Sequence, residues 1–473
     1  MSSQQDHPSG ARSLLRFLTG RHALGRTGFL SSALTLILLR LNLERLVYAQ
    51  QGYNPPDSIA VILNCFAFGI IPVPHPDPLG AGQNWSGWVS LVPFVWVGAC
   101  LALGRLLDAR VSRRWALLFL IPGVRVLFLL ILSTVPGSRA ANGPQPQAGD
   151  RQSLWDRWLP STRWGCALAS AIYAGATGVG LTLLSTWVVG EYGWALFVVM
   201  PFVLGALSTW LYLRRHPATL KEVQWVSCLA VLCVGGLLFG LAIEGLVCLF
   251  MATPIALLLA LMGGSVVWEI HRANSRKTNT SLMGVVFLSL PALLVGEPLG
   301  RPAPPTFTVR SEIFVAVSPE RLWPLVVDVS EIPPDGQVWS RLGMATFRRA
   351  WTEGQGIGAI RYCEFDTGLA REPVEVWEPP HRLRLRVETT PTPLRELSIY
   401  EHLHAPHLKG YYEVRSAEFE LASVSGGTRL IGTTCYQHGL WPAEYWAWWC
   451  GLVVKDLQYR VLSQAKHRAE ARQ

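Results

Sequence analysis

Residues 307–328 read FTVRSEIFVAVSPERLWPLVVD and contain two hydrophobic periods, one after the other. Apolar and polar side chains alternate from Phe307 to Val315, which predicts a strand with one solvent-exposed face. Ser318 can cap a helix, Pro319 suits a first helical turn, and Glu320 places an acidic group near the helix N-terminus. The segment therefore predicts a strand followed by an amphipathic helix.

The two-residue alternation returns in six further segments downstream. Predicted strands cover Phe347–Trp351, Ala359–Thr367, Pro373–Trp377, Leu383–Glu388, Tyr411–Ala422 and Thr428–Tyr436. Turn residues separate these strands. Pro442 then begins a final helix, in which apolar residues from Trp446 to Val461 form one stripe at three-to-four spacing. This order predicts an α+β helix-grip domain with an antiparallel sheet and a long C-terminal helix.

The chain upstream of residue 300 is dominated by long apolar runs. Half of all residues are apolar and 15% are charged, whereas soluble globular proteins carry roughly 25% charged residues. This composition excludes an ordinary soluble enzyme, a disordered protein and a disulfide-stapled miniprotein. The runs are Phe29–Val47, Ser58–Val73, Trp88–Leu103, Trp115–Val135, Trp164–Val189, Trp194–Leu213, Trp225–Ile243, Leu246–Trp268 and Leu282–Val295. A crossing helix needs about 20 residues, so we predict an all-α transmembrane bundle of six to eight spans.

The excess positive charge lies entirely in the apolar part. Residues 1–300 contain 21 Lys and Arg against 12 Asp and Glu, and residues 301–473 contain 20 of each. Basic residues between hydrophobic runs are typical of cytoplasmic loops, so the net charge of +9 does not indicate a nucleic-acid partner. We predict a lipid bilayer as the partner of this part and no nucleic acid.

Polar and Pro-rich segments divide the chain. We predict a first membrane part over residues 1–135, a polar linker over 136–163, a second membrane part over 164–298, a Pro-rich linker over 299–305, and the helix-grip domain over 306–473. The sequence leaves open which side of the membrane this domain occupies.

The domain resembles a known superfamily in several phrases. Besides residues 307–328, these are GQGIGAIRYCEFDTG, EVWEPPHRLRLRVE and SGGTRLIGTTCYQHGLWPAEYW. Residues 306–468 resemble a START-type domain of the SRPBCC superfamily, which includes polyketide cyclases and lipid-transfer domains. The resemblance implies a shared cavity and no particular reaction.

The first membrane part resembles a bacterial family of small membrane proteins of unknown function. The shared features are Gly20-Arg21, Gly25-Arg26 and the run PFVWVGACLALGRLLDARVSRRWALLFLIPG. Together the two resemblances imply a multi-pass protein of the bacterial cell (inner) membrane that ends in a START-like domain.

A START-like cavity is expected between the curved sheet and the final helix, lined by aromatic side chains and a few polar ones. The predicted ligand-binding residues are Trp323, Tyr362, Trp377, Tyr400, His404, His407, Tyr436, Trp446 and Trp449. Ordinary core packing would use the same aromatic residues. Four charged residues, Arg361, Glu372, Arg384 and Glu396, either orient the polar end of a ligand or pair across strands on the solvent-exposed face.

Two patterns suggest chemistry but have simpler interpretations. His402, His404 and His407 form HxHxxH, which suggests a metal site with Glu401 or Cys363, although Pro406 and a loop setting argue against fixed geometry. The nine cysteines include no CxxC pair, so they are interpreted as small buried hydrophobic residues, Cys363 among them. We predict no metal ion and no cofactor.

These features predict membrane-anchored binding of a lipid or another hydrophobic small molecule in the domain cavity. One alternative is a cyclase- or aromatase-type enzyme with His404 or His407 and Tyr436 as its acid and base. The other is a transporter or sensor gated by the soluble domain. Binding without catalysis is the interpretation that the residues favour.

Overall fold

The computed structural model describes residues 23–25, 28–33, 35–36, 85–121, 124–135, 158–273, 289–291, 293–297, 303–332, 338–398, 406–408 and 410–471. The chain divides into two compact units. The first comprises Met1–Leu237 and Ala252–Pro302, and the second comprises Leu238–Met251 and Ala303–Gln473.

The first unit is helical over its described residues. Its helices are α1 (Trp85–Asp108), α2 (Val124–Thr134), α3 (Arg163–Leu183), α4 (Met200–Arg215), α5 (Leu220–Gly240) and α6 (Leu246–Ala273), and a 3₁₀ helix spans Arg113–Leu120. One π-helical segment, Leu184–Val189, extends α3, and another, Ala195–Val199, precedes α4. The last residues of α5 and the first turn of α6 belong to the second unit.

Four of these helices are long and apolar enough to cross a membrane, which indicates membrane association. They are Arg163–Val189, Ala195–Arg215, Leu220–Gly240 and Leu246–Ala273. The prediction of six to eight spans is therefore not met by the described part of the chain. The run Trp88–Leu103 lies within α1, whereas Ser58–Val73 and most of Phe29–Val47 and Leu282–Val295 lie outside the described residues.

The run Trp115–Val135 shows one reason why the described residues contain fewer spans than predicted. It holds most of the 3₁₀ helix Arg113–Leu120, a bend at Ile121 and the 11-residue helix α2. At 1.5 Å per residue, α2 reaches only about 16 Å, which is half of a bilayer core. Arg125 is buried beside this break, where its Nε donates to the Phe119 carbonyl over 2.8 Å. Arg125 therefore closes a local turn of the chain.

Helices α4 and α6 pack through small residues. A Cβ atom at Gly205 would overlap the carbonyl oxygen of Ala260, and one at Gly263 would overlap the carbonyl oxygen of Phe202. Apolar surface gives little driving force for association in lipid, so such close backbone contact is a main source of helix packing there.

We expect Gly205→Ala to destabilise the first unit by about 1–3 kcal/mol, because the added methyl group forces α4 and α6 apart. Gly236→Ala in α5 is the matched control, since its Cβ meets nothing within 4 Å. The measurement is the thermal unfolding of both variants in detergent. Equal midpoints for the two variants would contradict the close contact.

The second unit contains a seven-stranded antiparallel sheet. Its strands are β1 (Thr306–Val315), β2 (Phe347–Glu353), β3 (Ile360–Phe365), β4 (Gly368–Glu378), β5 (Arg382–Arg386), β6 (Tyr412–Val424) and β7 (Gly427–His438), in the spatial order β1-β7-β6-β5-β4-β3-β2. Register shifts interrupt the pairing of β2, β4 and β6, and such bulges bend strands. The strands predicted from the sequence are confirmed, and their ends differ by at most two residues except in β4, which begins at Gly368, five residues before the predicted start.

Three helices accompany this sheet: α7 (Pro319–Val327), α8 (Val338–Arg341) and the long C-terminal α9 (Ala443–Glu470). Two polar side chains fix α9 on the sheet. Gln458 Nε2 donates to the Val309 carbonyl over 3.1 Å and to Thr434 Oγ1 over 2.8 Å, and the Tyr436 hydroxyl donates to the Ala447 carbonyl over 3.1 Å. The sheet order and α9 confirm the helix-grip fold.

Candidate functional site

A cavity of about 230 Å³ lies within the second unit. The sheet contributes side chains from β3, β4, β6 and β7, α9 contributes another wall, and Cys248 and Met251 come from the start of α6. Most of the lining is apolar, with Phe347, Phe419, Val453 and Leu457 among its residues. Gly432 leaves room because it has no side chain facing α9, where Leu462 would lie 3.4 Å from a Cβ atom.

Two opposite charges line this apolar cavity. Arg361 on β3 and Glu372 on β4 are direct partners in the sheet register, and their side chains are 2% and 9% exposed. The nearest guanidinium and carboxylate atoms are 3.9 Å apart, so the pair is close but not tightly bonded. The guanidinium also lies over the Phe419 ring, 5.2 Å from its centroid. Arg361 Nε is buried without a hydrogen bond to any described residue, so it can donate to an acceptor in the cavity.

Cys363 completes this group. Its Sγ donates to Glu372 Oε2 over 3.1 Å. Burial, followed by the charge of Glu372, raises the pKa of the Cys363 thiol well above its usual value. The thiol therefore stays protonated, which agrees with the interpretation of Cys363 as an inert buried residue.

Two histidines of the lining have opposite pKa shifts. Burial lowers the pKa of His438 to about 4, and its ring stacks on Phe307 with 5.0 Å between centroids. Burial also acts to lower the pKa of His407, but attraction to Glu244 and Glu396 outweighs it, so that the net pKa is raised. His438 is therefore neutral near pH 7, and His407 holds its proton to higher pH than a free histidine.

The nine residues predicted to bind a ligand lie in three kinds of place. His407 and Trp446 line the cavity, and Tyr400 and His404 lie outside the described residues. The remaining five are not part of the lining: Trp323, Tyr362, Trp377, Tyr436 and Trp449. Trp323 packs edge-on against Trp377, with 5.6 Å between centroids, and Tyr362 stacks on Trp351. Whether any of the nine contacts a ligand stays a prediction.

The four charged residues that the sequence analysis singled out also lie in different places. Arg361 and Glu372 line the cavity, Arg384 is 43% exposed and pairs with Glu375 over 3.6 Å, and Glu396 is buried beside His407. The sequence does not indicate Cys248 and Met251 as cavity residues, because they precede the domain by more than fifty residues and lie in an apolar run.

The sequence matches no protein-family model, and no curated protein matches it. Among solved structures, norcoclaurine synthase from Thalictrum flavum is 13% identical, covers 36% of this chain and 90% of its own, and has a TM-score of 0.24. The di-domain ARO/CYC StfQ from the steffimycin biosynthetic pathway is 12% identical, covers 41% of this chain and 62% of its own, and has a TM-score of 0.25.

A third similar structure is protein Ms6760 from Mycobacterium smegmatis. It is 12% identical, covers 35% of this chain and 92% of its own, and has a TM-score of 0.22. The helix-grip class of the second unit follows from its own strand order and from α9. The resemblance of the first membrane part to a bacterial family stays a prediction.

Proposed function

We propose that this chain is a membrane-anchored protein whose helix-grip domain binds a hydrophobic small molecule or part of a lipid. One observation carries the proposal, namely a largely apolar cavity with a buried Arg361–Glu372 pair in its wall. Apolar walls supply binding free energy, and a few fixed polar groups orient the bound molecule. A domain whose interior served only for packing would have neither a cavity of this kind nor a charged pair in its wall.

The cavity volume limits the size of the ligand. At about 230 Å³, it is slightly smaller than the roughly 300–1,000 Å³ of typical small-molecule pockets. This favours a one-ring compound or the end of one acyl chain over a complete two-chain lipid. Arg361 Nε favours a ligand with a carbonyl or carboxylate oxygen at its polar end.

We place the protein in the bacterial cell (inner) membrane. The four long apolar helices support membrane anchoring, and the basic residues between hydrophobic runs support a cytoplasmic side for those loops. A tethered cavity meets membrane-resident molecules at high effective concentration.

Binding is favoured over cyclase-type catalysis. The enzyme alternative pairs His404 or His407 with Tyr436, but the Tyr436 hydroxyl donates to the Ala447 carbonyl and is not part of the cavity lining. A general acid and base need to face the same bound substrate. Gating of a transporter or sensor by the domain stays an untested alternative.

Native mass spectrometry of the detergent-solubilised full chain tests the proposal. We expect wild-type protein to retain a small hydrophobic molecule, and Ala417→Phe to lose it, because Ala417 on β6 lines the cavity and a phenyl ring would occupy it. Ala422→Phe is the matched control on the same strand. Strand alternation places Ala422 on the opposite face, where its partner in β7 is the exposed Arg429.

Retention of the same molecule by Ala417→Phe and wild type would overturn the proposal. So would the absence of any bound molecule from wild-type protein after extraction and after incubation with octanoate or with a benzoate-type aromatic acid. Equal loss from both variants would show that added bulk anywhere on β6 disturbs the domain, and would remove the support for the cavity.

A further inference from the structure

A second group of ionisable side chains borders the cavity. This His407 cluster consists of Glu244 in the turn between α5 and α6, Cys248 in the first turn of α6, Glu396 in the segment after β5, and His407 in a 3₁₀ turn, Pro406–Leu408. All four residues belong to the second unit. The turn and the segment are joined by a backbone hydrogen bond of 3.0 Å from the Leu246 amide to the Leu397 carbonyl.

The imidazole ring of His407 lies at the centre of the cluster. Its Nε2 is 2.9 Å from Cys248 Sγ and 3.7 Å from Glu396 Oε1. Its other nitrogen, Nδ1, is 3.5 Å from Glu244 Oε2. The ligand atoms that Glu244, Cys248 and His407 offer all lie within 4.8 Å of one another. Three different residues therefore converge on one ring from two sides.

The cluster carries buried negative charge. The side chains of Glu244 and His407 are 9% and 8% exposed, and that of Glu396 is 1% exposed. Neither carboxylate oxygen of Glu396 has a hydrogen bond to a described residue. With two carboxylates beside one imidazole, even a protonated ring leaves one negative charge, and an uncompensated buried charge is strongly unfavourable. A divalent cation at this place would supply two positive charges; with Cys248 bound as a thiolate and His407 neutral, the one remaining negative charge lies on Glu244, which faces His407 Nδ1 over 3.5 Å.

We propose that Cys248, His407 and Glu396 bind a divalent transition-metal ion of the zinc type. Zinc binds an imidazole nitrogen, a carboxylate oxygen and a thiolate, and the Cys248 thiol would release its proton to solvent when the ion binds. Cys248 and Glu396 both approach Nε2, so the ion binds on that side of the ring. Glu244 then accepts a hydrogen bond from Nδ1–H and fixes the ring, as outer carboxylates do for metal-bound histidines.

The two distances from Nε2 to its neighbouring donors suit such an ion with small movements. Tetrahedral zinc, with bonds of about 2.0–2.3 Å, holds neighbouring donors about 3.5 Å apart. The 3.7 Å between Nε2 and Glu396 is already close to this value, and the 2.9 Å between Nε2 and Cys248 would lengthen by roughly half an ångström.

Three protein donors leave one coordination position. Cys248 and His407 both line the cavity, so this position faces the space proposed for the ligand. The ion would there accept a water molecule or an oxygen of the bound molecule. This consequence rests on the proposed ligand-binding function, whereas the metal site itself does not.

Cobalt(II) binding to the full chain in detergent tests the site, because Co²⁺ replaces zinc and absorbs light when a thiolate binds it. After treatment with a chelator, we expect wild-type protein to bind one Co²⁺ per chain, with the near-ultraviolet band of a sulfur–cobalt bond. Zn²⁺ should abolish this band by competition. Cys248→Ser should lose the band, and His407→Gln should lose stoichiometric cobalt.

Variants of the two glutamates should lower the affinity for Co²⁺ by different amounts. Glu244→Gln should weaken Co²⁺ binding about 10- to 100-fold, as removal of an outer partner does, and Glu396→Gln should weaken it more. Cys228→Ser, in α5 and outside the cluster, is the matched control and should bind Co²⁺ like wild type. Because the band itself requires a bound thiolate, its presence in wild-type protein shows a cysteine ligand regardless of how any variant folds.

Wild-type protein that binds no Co²⁺ and no Zn²⁺ would overturn the site, as would an unchanged band in Cys248→Ser. If metal is absent while a hydrophobic molecule is still retained, only this inference fails. If metal binds but no hydrophobic molecule is retained, the proposed function fails and the metal site stands.

Discussion

Arg361→Met is expected to lower the free energy of unfolding of the second unit by about 3–5 kcal/mol, because it removes one member of a buried ion pair. Glu372 would keep only the Cys363 thiol as a described polar partner on that side of the sheet. The variant also loses the contact between the guanidinium and the Phe419 ring. Hydrogen exchange of β3 and β4 in the full chain, measured by mass spectrometry, reports the change for this unit alone.

Two variants control this experiment. Arg349→Met removes a cross-strand pair with Glu364 whose arginine is 56% exposed, and such surface pairs contribute less than about 1 kcal/mol. In Arg361→Met with Glu372→Gln, the orphaned charge is also removed, so much of the stability should return. A loss in Arg361→Met no larger than in Arg349→Met would show that the pair is not buried in solution.

The strands and α9 could be predicted because their signals are local. Alternation with period two marks a sheet that is buried on one face, and each strand from β1 to β7 carries enough of it. Pro319 and Pro442 mark the starts of α7 and α9 in the way that helix N-termini favour. The fold class of the second unit therefore follows from short stretches of sequence.

The inward orientation of Arg361 on β3 could also have been predicted from the sequence. Cys363 was expected to be buried, and side chains two residues apart on a strand share a face. Arg361 therefore had to point inward with Cys363, and antiparallel pairing then placed Glu372 opposite to it. Charged residues are mostly exposed in proteins, and this general tendency favoured a solvent-exposed position for Arg361 and Glu372 instead.

Other parts of the site could not be predicted because they depend on tertiary contacts. The sequence pattern HxHxxH directed attention to neighbours of His407 along the chain. The residues that meet its ring include Cys248, which lies 159 positions away. Nothing in the apolar run Leu246–Trp268 distinguishes that thiol from the other cysteines. The described residues contain fewer spans than predicted for a similar reason, because hydropathy does not show where a run such as Trp115–Val135 is interrupted.

One cavity thus borders two groups of different chemistry. Arg361, with Glu372 and Cys363, offers a hydrogen-bond donor, and the His407 cluster offers metal-binding donors. A ligand with two oxygen-bearing ends would engage both groups, whereas a simple hydrocarbon would engage neither. The polar ends of the retained molecule are therefore the most informative part of its identity.

The second unit is expected to lose stability in acid because of His438. Its pKa in the folded protein is about 4 and that of a free histidine is 6.5, so between these values the unfolded chain binds a proton that the folded chain does not. Stability should therefore fall as the pH is lowered from 6.5 to about 4, by on the order of 3 kcal/mol.

His438→Phe keeps an aromatic ring against Phe307 but cannot bind the proton, so it should lose this part of the pH dependence. The measurement is hydrogen exchange in β1 and β7 of the full chain at both pH values, corrected for intrinsic exchange rates. His381→Phe, at an exposed turn, is the control that should keep the wild-type pH dependence. An identical loss of stability in acid for wild type and His438→Phe would contradict this prediction, because protonation of His438 would then cost no folding free energy.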